Sequence, residues 1–180
     1  EGAGDMFSVE HRLDDEQFFG RTAHLTVSGQ LPLETYCLSH SRVYTFGPAF
    51  RAENSSTARH ISEFWMVEPE IAFADLIDDM DVAENLLKVI TKELLEACPD
   101  EIELFEKYVD KDLNHIYSML ERNFNRFTYT ECIQLLLNSS TDFQFQPKWG
   151  HDLQTEHERF LAEEYFKGPV FITDWPKEIK

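Results

Sequence analysis

The sequence has few basic residues, few cysteines and no long apolar run. Its 180 residues include 16 lysines and arginines against 34 aspartates and glutamates, and the net charge of -18 excludes a surface that holds nucleic acid by charge alone. The widely spaced cysteines form no CxxC pair, which argues against a zinc site or a disulfide framework. No apolar run approaches the roughly 20 residues of a membrane span. We therefore expect a reduced intracellular chain without a membrane partner.

The first half of the chain alternates between apolar and polar residues with the period of two that is typical of strands. Residues 22–30, 42–53 and 63–73 each show this alternation. We predict that these segments lie side by side in one antiparallel sheet, with an apolar face that packs on helices.

The other face of the predicted sheet has the composition of a floor for a ligand. Arg51 and Glu53 fall on this face in one strand, and Phe64 and Glu68 fall on it in the next. We therefore expect these side chains to lie on the same side of the sheet.

The second half of the chain has the caps and the periodicity of helices. Asp75 is a plausible N-cap, and the spacing of Thr155 and Glu158 predicts a capping box. The predicted helices cover residues 75–97, 100–123, a segment starting at 130, and 155–166, and a final buried strand covers 169–175. Strands, then helices, then a strand favour an α+β fold, an antiparallel sheet with flanking helices.

The stretch FRAENSSTARHISEFWMVEPE, residues 50–70, concentrates cations in an otherwise acidic chain. Arg51 is predicted at the end of a strand, and Arg59 and His60 lie on the returning arm of a loop. Guanidinium groups bind phosphate oxygens bidentately, and a cation on a loop can close over the far end of a polyphosphate. This arrangement suits a nucleoside triphosphate, although the sequence has neither a GxxxxGK[ST] nor a GxGxxG loop.

Two further side chains suit a nucleotide. Phe64 could stack on a flat base, and Glu53 could accept a hydrogen bond from an exocyclic amine. The alternative is a solvated hairpin with ordinary ion pairs, because Arg51 and Arg59 each have a nearby glutamate and surface ion pairs are common and weak. The spacing alone leaves both interpretations open.

The same stretch resembles motif 2 of the class II aminoacyl-tRNA synthetases, in which an arginine, a loop and an Arg-His-x-x-Glu-Phe strand follow one another. The variant present here is similar to that of the asparaginyl-tRNA synthetases of bacterial or organellar type. The likeness extends over the chain in EGAGDMF at the start, LTVSGQLPLE at 25–34, WGHDLQTEHERFLAEE at 149–164 and FITDWPKEIK at the end.

The resemblance implies a partial class II catalytic domain over residues 1–180. Its parts would be a motif 2 hairpin at 42–73, a mostly helical insertion at 75–166 and a core strand at 169–175. In the family, motif 1 forms the homodimer interface, and motif 3 carries a second ATP arginine and a metal-binding acid. We expect motif 1 before Glu1 and motif 3 after Lys180, so the chain alone should be inactive and the Mg²⁺ ligands should lie outside it.

The roles implied by the resemblance divide between ATP and the amino acid. Arg51 would hold the α-phosphate together with the amino acid carboxylate, and it is the expected catalytic residue. The other expected ATP-binding residues are Glu53 at the adenine amine, Arg59 and His60 at the β- and γ-phosphates, Ile61 near the base and Phe64 by stacking. The other expected amino-acid-binding residues are Glu1 at the α-ammonium group, Ser28 and Gln30 in the pocket, and Glu68 at the side-chain amide.

The implied reaction is ATP-dependent activation of L-asparagine to asparaginyl-adenylate, followed by transfer to tRNA(Asn). The substrate carboxylate is itself the nucleophile, so the protein would supply alignment and positive charge rather than a base.

Two positions favour asparagine over aspartate. Relatives specific for aspartate carry a lysine where this chain has Leu33, and an aspartate where it has Glu68. The longer acid can accept a hydrogen bond from an amide and repel a carboxylate. The alternatives are an aspartyl-tRNA synthetase, a tRNA-independent asparagine synthetase on the same core, a non-catalytic paralogue that binds tRNA, and an acidic interaction domain without a ligand.

Overall fold

A computed structural model of the protein describes residues 5–10, 19–53, 60–110 and 112–179. The chain divides into two units, Glu1–Ala74 and Asp75–Lys180. Each unit combines helices with strands, which confirms the predicted α+β class.

The first unit is built around a long β-hairpin. Its elements are β1 (Ser8–Val9), β2 (Ala23–His24), α1 (Gln30–His40), β3 (Arg42–Phe50) and β4 (Glu63–Ile71). The short strands β1 and β2 pair antiparallel with each other, and β3 pairs antiparallel with β4 along its whole length. The hairpin predicted from the alternation of its two arms is therefore present.

The prediction of a strand over residues 22–30 is wrong for most of that segment. Only Ala23–His24 pairs as a strand, and its partner is β1 rather than β3. Helix α1 begins at Gln30, whose backbone N–H donates to the Ser28 hydroxyl at 3.1 Å. Pro32 lies in the first helical turn, where a missing N–H costs nothing. The segment still contacts the hairpin, because the Phe50 N–H donates to the Thr26 carbonyl at 2.8 Å.

The apolar face of the hairpin is open to solvent. Tyr44, Phe46, Trp65 and Val67 are 72%, 62%, 62% and 44% exposed. Phe46 and Trp65 contact each other edge to face, with ring centroids 5.1 Å apart. Within the described part of the first unit, no helix covers these residues, so the prediction that this face packs on helices is wrong there.

The second unit contains most of the helices. Its elements are α2 (Leu76–Ala97), α3 (Pro99–Tyr108), α4 (Asn114–Glu121), β5 (Asn125–Thr128), α5 (Tyr129–Asn138), α6 (Thr155–Arg159), a π-helical turn (Phe160–Tyr165), β6 (Val170–Thr173) and a 3-10 turn (Lys177–Ile179). Strands β5 and β6 pair in parallel. Within the described part of both units, no helix is long and apolar enough to cross a membrane.

Helix α2 has the bounds predicted for it, and its N-cap is Asp75. The Asp75 carboxylate accepts from the Ile77 and Asp78 backbone N–H groups, and Asp78 completes a capping box. The single helix predicted over 100–123 is wrong, because the chain forms α3 and α4 instead. Asp112 accepts from the Asn114 backbone N–H at 2.9 Å, and this local bond replaces helical hydrogen bonding between the two helices.

The capping box predicted between Thr155 and Glu158 is displaced by one residue. The N-cap of α6 is Gln154, and its partner in the box is His157. His157 is buried and its ring Nε2 contacts the Phe145 carbonyl at 2.7 Å. The tertiary contact of His157 therefore decides the register of this cap.

The core of the second unit is centred on α5. Its fully buried side chains are Tyr129, Cys132, Leu136 and Leu161. The Tyr129 hydroxyl donates to the His151 carbonyl at 2.7 Å and accepts from the Gly150 N–H at 3.0 Å. Burial raises the pKa of the Cys132 thiol to about 11, with Glu131 adding to the effect, so this cysteine packs as an apolar group.

Glu156 holds the loop that precedes α6. Its carboxylate accepts from the Phe145 N–H at 2.7 Å and the Gln144 N–H at 2.9 Å. The hydrogen bond from Phe145, helped by that from Gln144 and by the nearby His157, lowers the pKa of Glu156 below its ordinary value of 4.5 in spite of partial burial.

The Glu156→Gln variant is expected to unfold at a lower temperature than the wild type at neutral pH. The two N–H groups donate to different oxygens of Glu156, and an amide has an acceptor oxygen at only one of these positions. A carboxyl with a lowered folded-state pKa stabilises the fold above its unfolded pKa, and this is lost as the pH falls through the folded value. The difference in Tm should therefore shrink between about pH 7 and about pH 3. Thermal unfolding at several pH values measures it, with the exposed Glu164→Gln as control. A difference that does not change with pH would contradict the assignment.

Candidate functional site

The polar face of the β3–β4 hairpin is the candidate site, and we call it the front face. Its members are Val43, Thr45, Gly47 and Ala49 from β3, and Phe64, Met66, Glu68 and Glu70 from β4. The register pairs Thr45 with Glu68 and Ala49 with Phe64. Because directly opposed residues of paired strands share a face, the prediction that Phe64 and Glu68 lie together on one face is confirmed.

Arg51 continues β3 and turns its side chain back over the front face. Its backbone N–H donates to the Ser62 carbonyl at 3.0 Å. Its Nε donates to the Val27 carbonyl at 3.4 Å, and its Nη2 lies 3.9 Å from the Met66 sulfur. The guanidinium carbon is 5.3 Å from the centre of the Phe64 ring, a cation–π contact. Arg51 therefore shares the front face with Phe64, as predicted.

Glu68 lies at the first turn of helix α1. Its Oε2 accepts from the Gly29 backbone N–H at 3.0 Å, and its Oε1 is 3.3 Å from the same nitrogen. The Ser28 hydroxyl also donates to Oε1. The Glu68 carboxylate therefore lies at the N-terminal end of α1, where backbone N–H groups are available as donors.

Gly29 is a residue of the site that was not predicted from the sequence. A Cβ at this position would lie 2.6 Å from the Thr45 Cγ2 atom and 3.2 Å from Glu68 Oε2. A larger residue would therefore push α1 away from the front face. The signal for it was the glycine between Ser28 and Gln30, whose neighbours were both expected in the pocket.

An open strip of the front face separates the cation from the anion. Met66, which the Arg51 guanidinium contacts, lies two positions from Glu68 in β4, and that spacing corresponds to about 7 Å along a strand. Gly47 is opposite Met66, and a Cβ there would meet no atom of the described residues within 4 Å. The strip therefore has room for a small molecule that carries an anionic group at one end and N–H donors at the other.

Gln30 is not brought into this arrangement. It is exposed in the first turn of α1, and its side-chain amide donates to the Glu34 carboxylate at 3.0 Å. Glu53, His60 and Ile61 are exposed at the two ends of the hairpin loop.

The remaining expected site residues, Glu1 and Arg59, lie outside the described residues. Across the described ranges no group of three or more histidine, cysteine, aspartate or glutamate side chains could hold a metal ion.

Comparison with known protein families places the whole chain in one of them. The family model described as tRNA synthetases class II (D, K and N) matches residues 1–180. The chain belongs to this family. The family match covers both arms of the hairpin that carries the front face.

Curated relatives that match this chain are named as asparagine–tRNA ligases. The protein of Bacillus cytotoxicus is 54% identical over 194 aligned residues, which cover 100% of this chain and 42% of the relative. The protein of Alkaliphilus metalliredigens is 52% identical with the same coverage. The class II synthetase chain thus spans about 42% of the length of these curated relatives.

Solved structures agree with the class II fold. The asparaginyl-tRNA synthetase of Pyrococcus horikoshii, complexed with asparaginyl-adenylate, matches with a TM-score of 0.80 and 36% identity, over 100% of this chain and 37% of that one. The aspartyl-tRNA synthetase of Entamoeba histolytica matches with a TM-score of 0.68 and 28% identity, over 85% of this chain and 31% of that one. Because both specificities occur on this fold, the choice of amino acid depends on side chains.

Proposed function

We propose that a full-length protein carrying this chain is an asparagine–tRNA ligase, which activates L-asparagine with ATP to asparaginyl-adenylate and transfers it to tRNA(Asn). The observation that carries the proposal is the placement of Arg51 and Glu68 at opposite ends of one open strip of the front face. The 54% identity to a curated asparagine–tRNA ligase supports the same assignment.

Arg51 is the catalytic residue in this proposal. The asparagine carboxylate attacks the α-phosphorus of ATP, a new carboxyl–phosphate bond forms, and the bond to the β-phosphate breaks to release pyrophosphate. No proton has to move in this step. The Arg51 guanidinium offers several N–H donors in a fixed plane, so it can bind the attacking carboxylate and the α-phosphate at the same time.

The nucleotide would lie along the same face. The proposal puts the adenine on the side of the Phe64 ring that Arg51 does not cover, because an aromatic ring has two faces. The remaining ATP contacts are assigned by the resemblance to motif 2. They are Glu53 at the adenine amine, Ile61 near the base, and Arg59 and His60 at the outer phosphates.

The amino acid would lie between Arg51 and Glu68. The carboxylate of Glu68 accepts hydrogen bonds and cannot donate them, so it suits the asparagine amide and repels the aspartate carboxylate. Leu33, in α1, offers no cation where the aspartate-specific relatives have lysine. The proposal keeps Glu1 at the α-ammonium group and Gln30 in the pocket, where the latter would have to exchange its bond with Glu34.

Aspartate activation is the second candidate, because the chain is also similar to an aspartyl-tRNA synthetase at 28% identity. Exchange of labelled pyrophosphate into ATP, with each amino acid in turn, separates the two. The proposal expects exchange that depends on asparagine, and exchange with aspartate alone would contradict it. Charging of tRNA then separates a ligase from a tRNA-independent asparagine synthetase, and the absence of any exchange would favour a non-catalytic paralogue.

The isolated 180-residue chain is expected not to charge tRNA. It spans 42% of its relatives, and the family's dimer-forming motif, second ATP arginine and Mg²⁺ ligands are expected outside it. We also expect the full-length protein to be a homodimer in the cytoplasm, or in the mitochondrial or plastid matrix if its source is eukaryotic. The measurement is aminoacylation of tRNA(Asn) by the purified chain, with the full-length protein as control. Sustained charging by the isolated chain would contradict this expectation.

A further inference from the structure

The Ser28 hydroxyl both donates and accepts a hydrogen bond within the first unit. It donates its single proton to Glu68 Oε1 and accepts from the Gln30 backbone N–H at 3.1 Å. While these bonds hold, the hydroxyl has no proton left for a substrate. A hydrogen bond donated by Ser28 to the amino acid would therefore require the bond to Glu68 to break.

Among the described residues, the donors that hold the Glu68 carboxylate come from the start of α1. Ser28 and the Gly29 N–H both approach it from the first turn of α1. A carboxylate has lone pairs on both oxygens, so these bonds leave it able to accept further donors. The side chain of Glu68 has several rotatable bonds, and without the two donors its carboxylate would sample several rotamers.

We propose that Ser28 is a positioning residue, which acts on the choice of amino acid through Glu68 rather than by touching the substrate. The Ser28–Gly29 corner of α1 holds the Glu68 carboxylate at the end of the open strip, facing a ligand bound beside Arg51. A fixed carboxylate discriminates between an amide and a carboxylate more strongly than a mobile one, because it does not have to be ordered during binding. This inference rests on the proposed function.

The experiment is pyrophosphate exchange with asparagine and with aspartate, using the full-length protein. The variants are Ser28→Ala, Glu68→Gln and the double variant. Ser39→Ala is the matched control, because Ser39 is also a serine of the α1 region, lies in its last turn, and donates to the Tyr36 carbonyl at 3.0 Å.

Ser28→Ala is expected to lower the ratio of asparagine to aspartate exchange about tenfold, because it removes one of the two donors that fix the carboxylate. The KM for ATP should stay within about twofold, since a general loss of structure would affect both substrates. In the Glu68→Gln background the charge that Ser28 positions is gone. There, Ser28→Ala should change the ratio by less than about twofold.

Three results would overturn the inference, and they are distinguishable. An unchanged ratio in Ser28→Ala would show that Ser28 has no part in the choice. If Ser28→Ala lowers the ratio of asparagine to aspartate exchange equally in the wild-type and Glu68→Gln backgrounds, Ser28 contacts the amino acid independently of Glu68. Absence of asparagine-dependent exchange in the wild type would overturn the proposed function together with this inference.

Discussion

Replacement of Arg51 by alanine is expected to abolish activation of both amino acids in the full-length protein. The variant loses the group that binds the attacking carboxylate and the α-phosphate together. Alignment and charge stabilisation at one such group are worth on the order of a thousandfold or more in rate. The fall in kcat/KM should therefore be at least about a thousandfold, with asparagine and aspartate affected alike. Pyrophosphate exchange measures it.

The control for Arg51 is an arginine at the other end of the same hairpin arm. Arg42 is exposed at the start of β3, so Arg42→Ala removes an equal charge without touching the candidate site. Its kcat/KM should stay within about twofold of the wild type, because exposed charges contribute little. Arg51→Ala that keeps more than about a tenth of the wild-type activity would show that Arg51 only packs on Phe64 and Met66.

The contacts of Arg51 also predict a smaller effect on folding. Its guanidinium lies over Phe64 and donates to the Val27 carbonyl, so the alanine variant loses about 1 kcal/mol of such interactions. Thermal unfolding of the variant distinguishes this modest loss from a collapse of the hairpin. A variant that is folded and inactive supports the catalytic assignment.

The Glu68→Gln variant is expected to change which amino acid is activated. Glutamine keeps the size of the side chain and one acceptor oxygen, so asparagine activation should fall without vanishing. Aspartate gains relative to asparagine, because a like charge has been removed from its binding site. A single contact of this kind changes discrimination by about 1–3 kcal/mol, or roughly ten- to a hundredfold. The measurement is the ratio of exchange rates with the two amino acids.

Glu70 supplies the matched control for this prediction. It lies two positions along β4 on the same front face, so Glu70→Gln removes the same charge at a different place. In Glu70→Gln, the ratio of the exchange rates with asparagine and aspartate should stay close to that of the wild type. An unchanged ratio in Glu68→Gln would mean that Leu33 or a residue outside this chain carries the choice.

Local patterns predicted the elements whose formation depends on neighbouring residues. The N-cap Asp75 and the acidic first turn predicted the start of α2, because capping bonds join residues only a few positions apart. Alternation predicted both arms of the hairpin and the shared face of Arg51, Phe64 and Glu68. The long motif 2 match predicted the family, since it covers many spaced positions at once.

The failures share a physical cause. Alternation over residues 22–30 is compatible with a strand, but a strand needs a partner along its length, and the segment pairs only at Ala23–His24. Ser28 instead accepts from the backbone N–H of Gln30, the first residue of α1. The register of α6 follows the burial of His157 against Phe145, which no local spacing reveals.

The sequence by itself determined the family and the face on which each residue of the hairpin lies. Membership follows from motif 2, and the face follows from the two-residue period of a strand, so neither depends on distant contacts. Only the tertiary structure decided that Glu68 is held by Ser28 and Gly29, which lie 40 and 39 positions away in the chain. It also decided that Arg51 extends back to Val27, Phe64 and Met66. These contacts depend on how separate segments pack, because a side chain's partner is chosen by proximity in space and not by spacing in the chain.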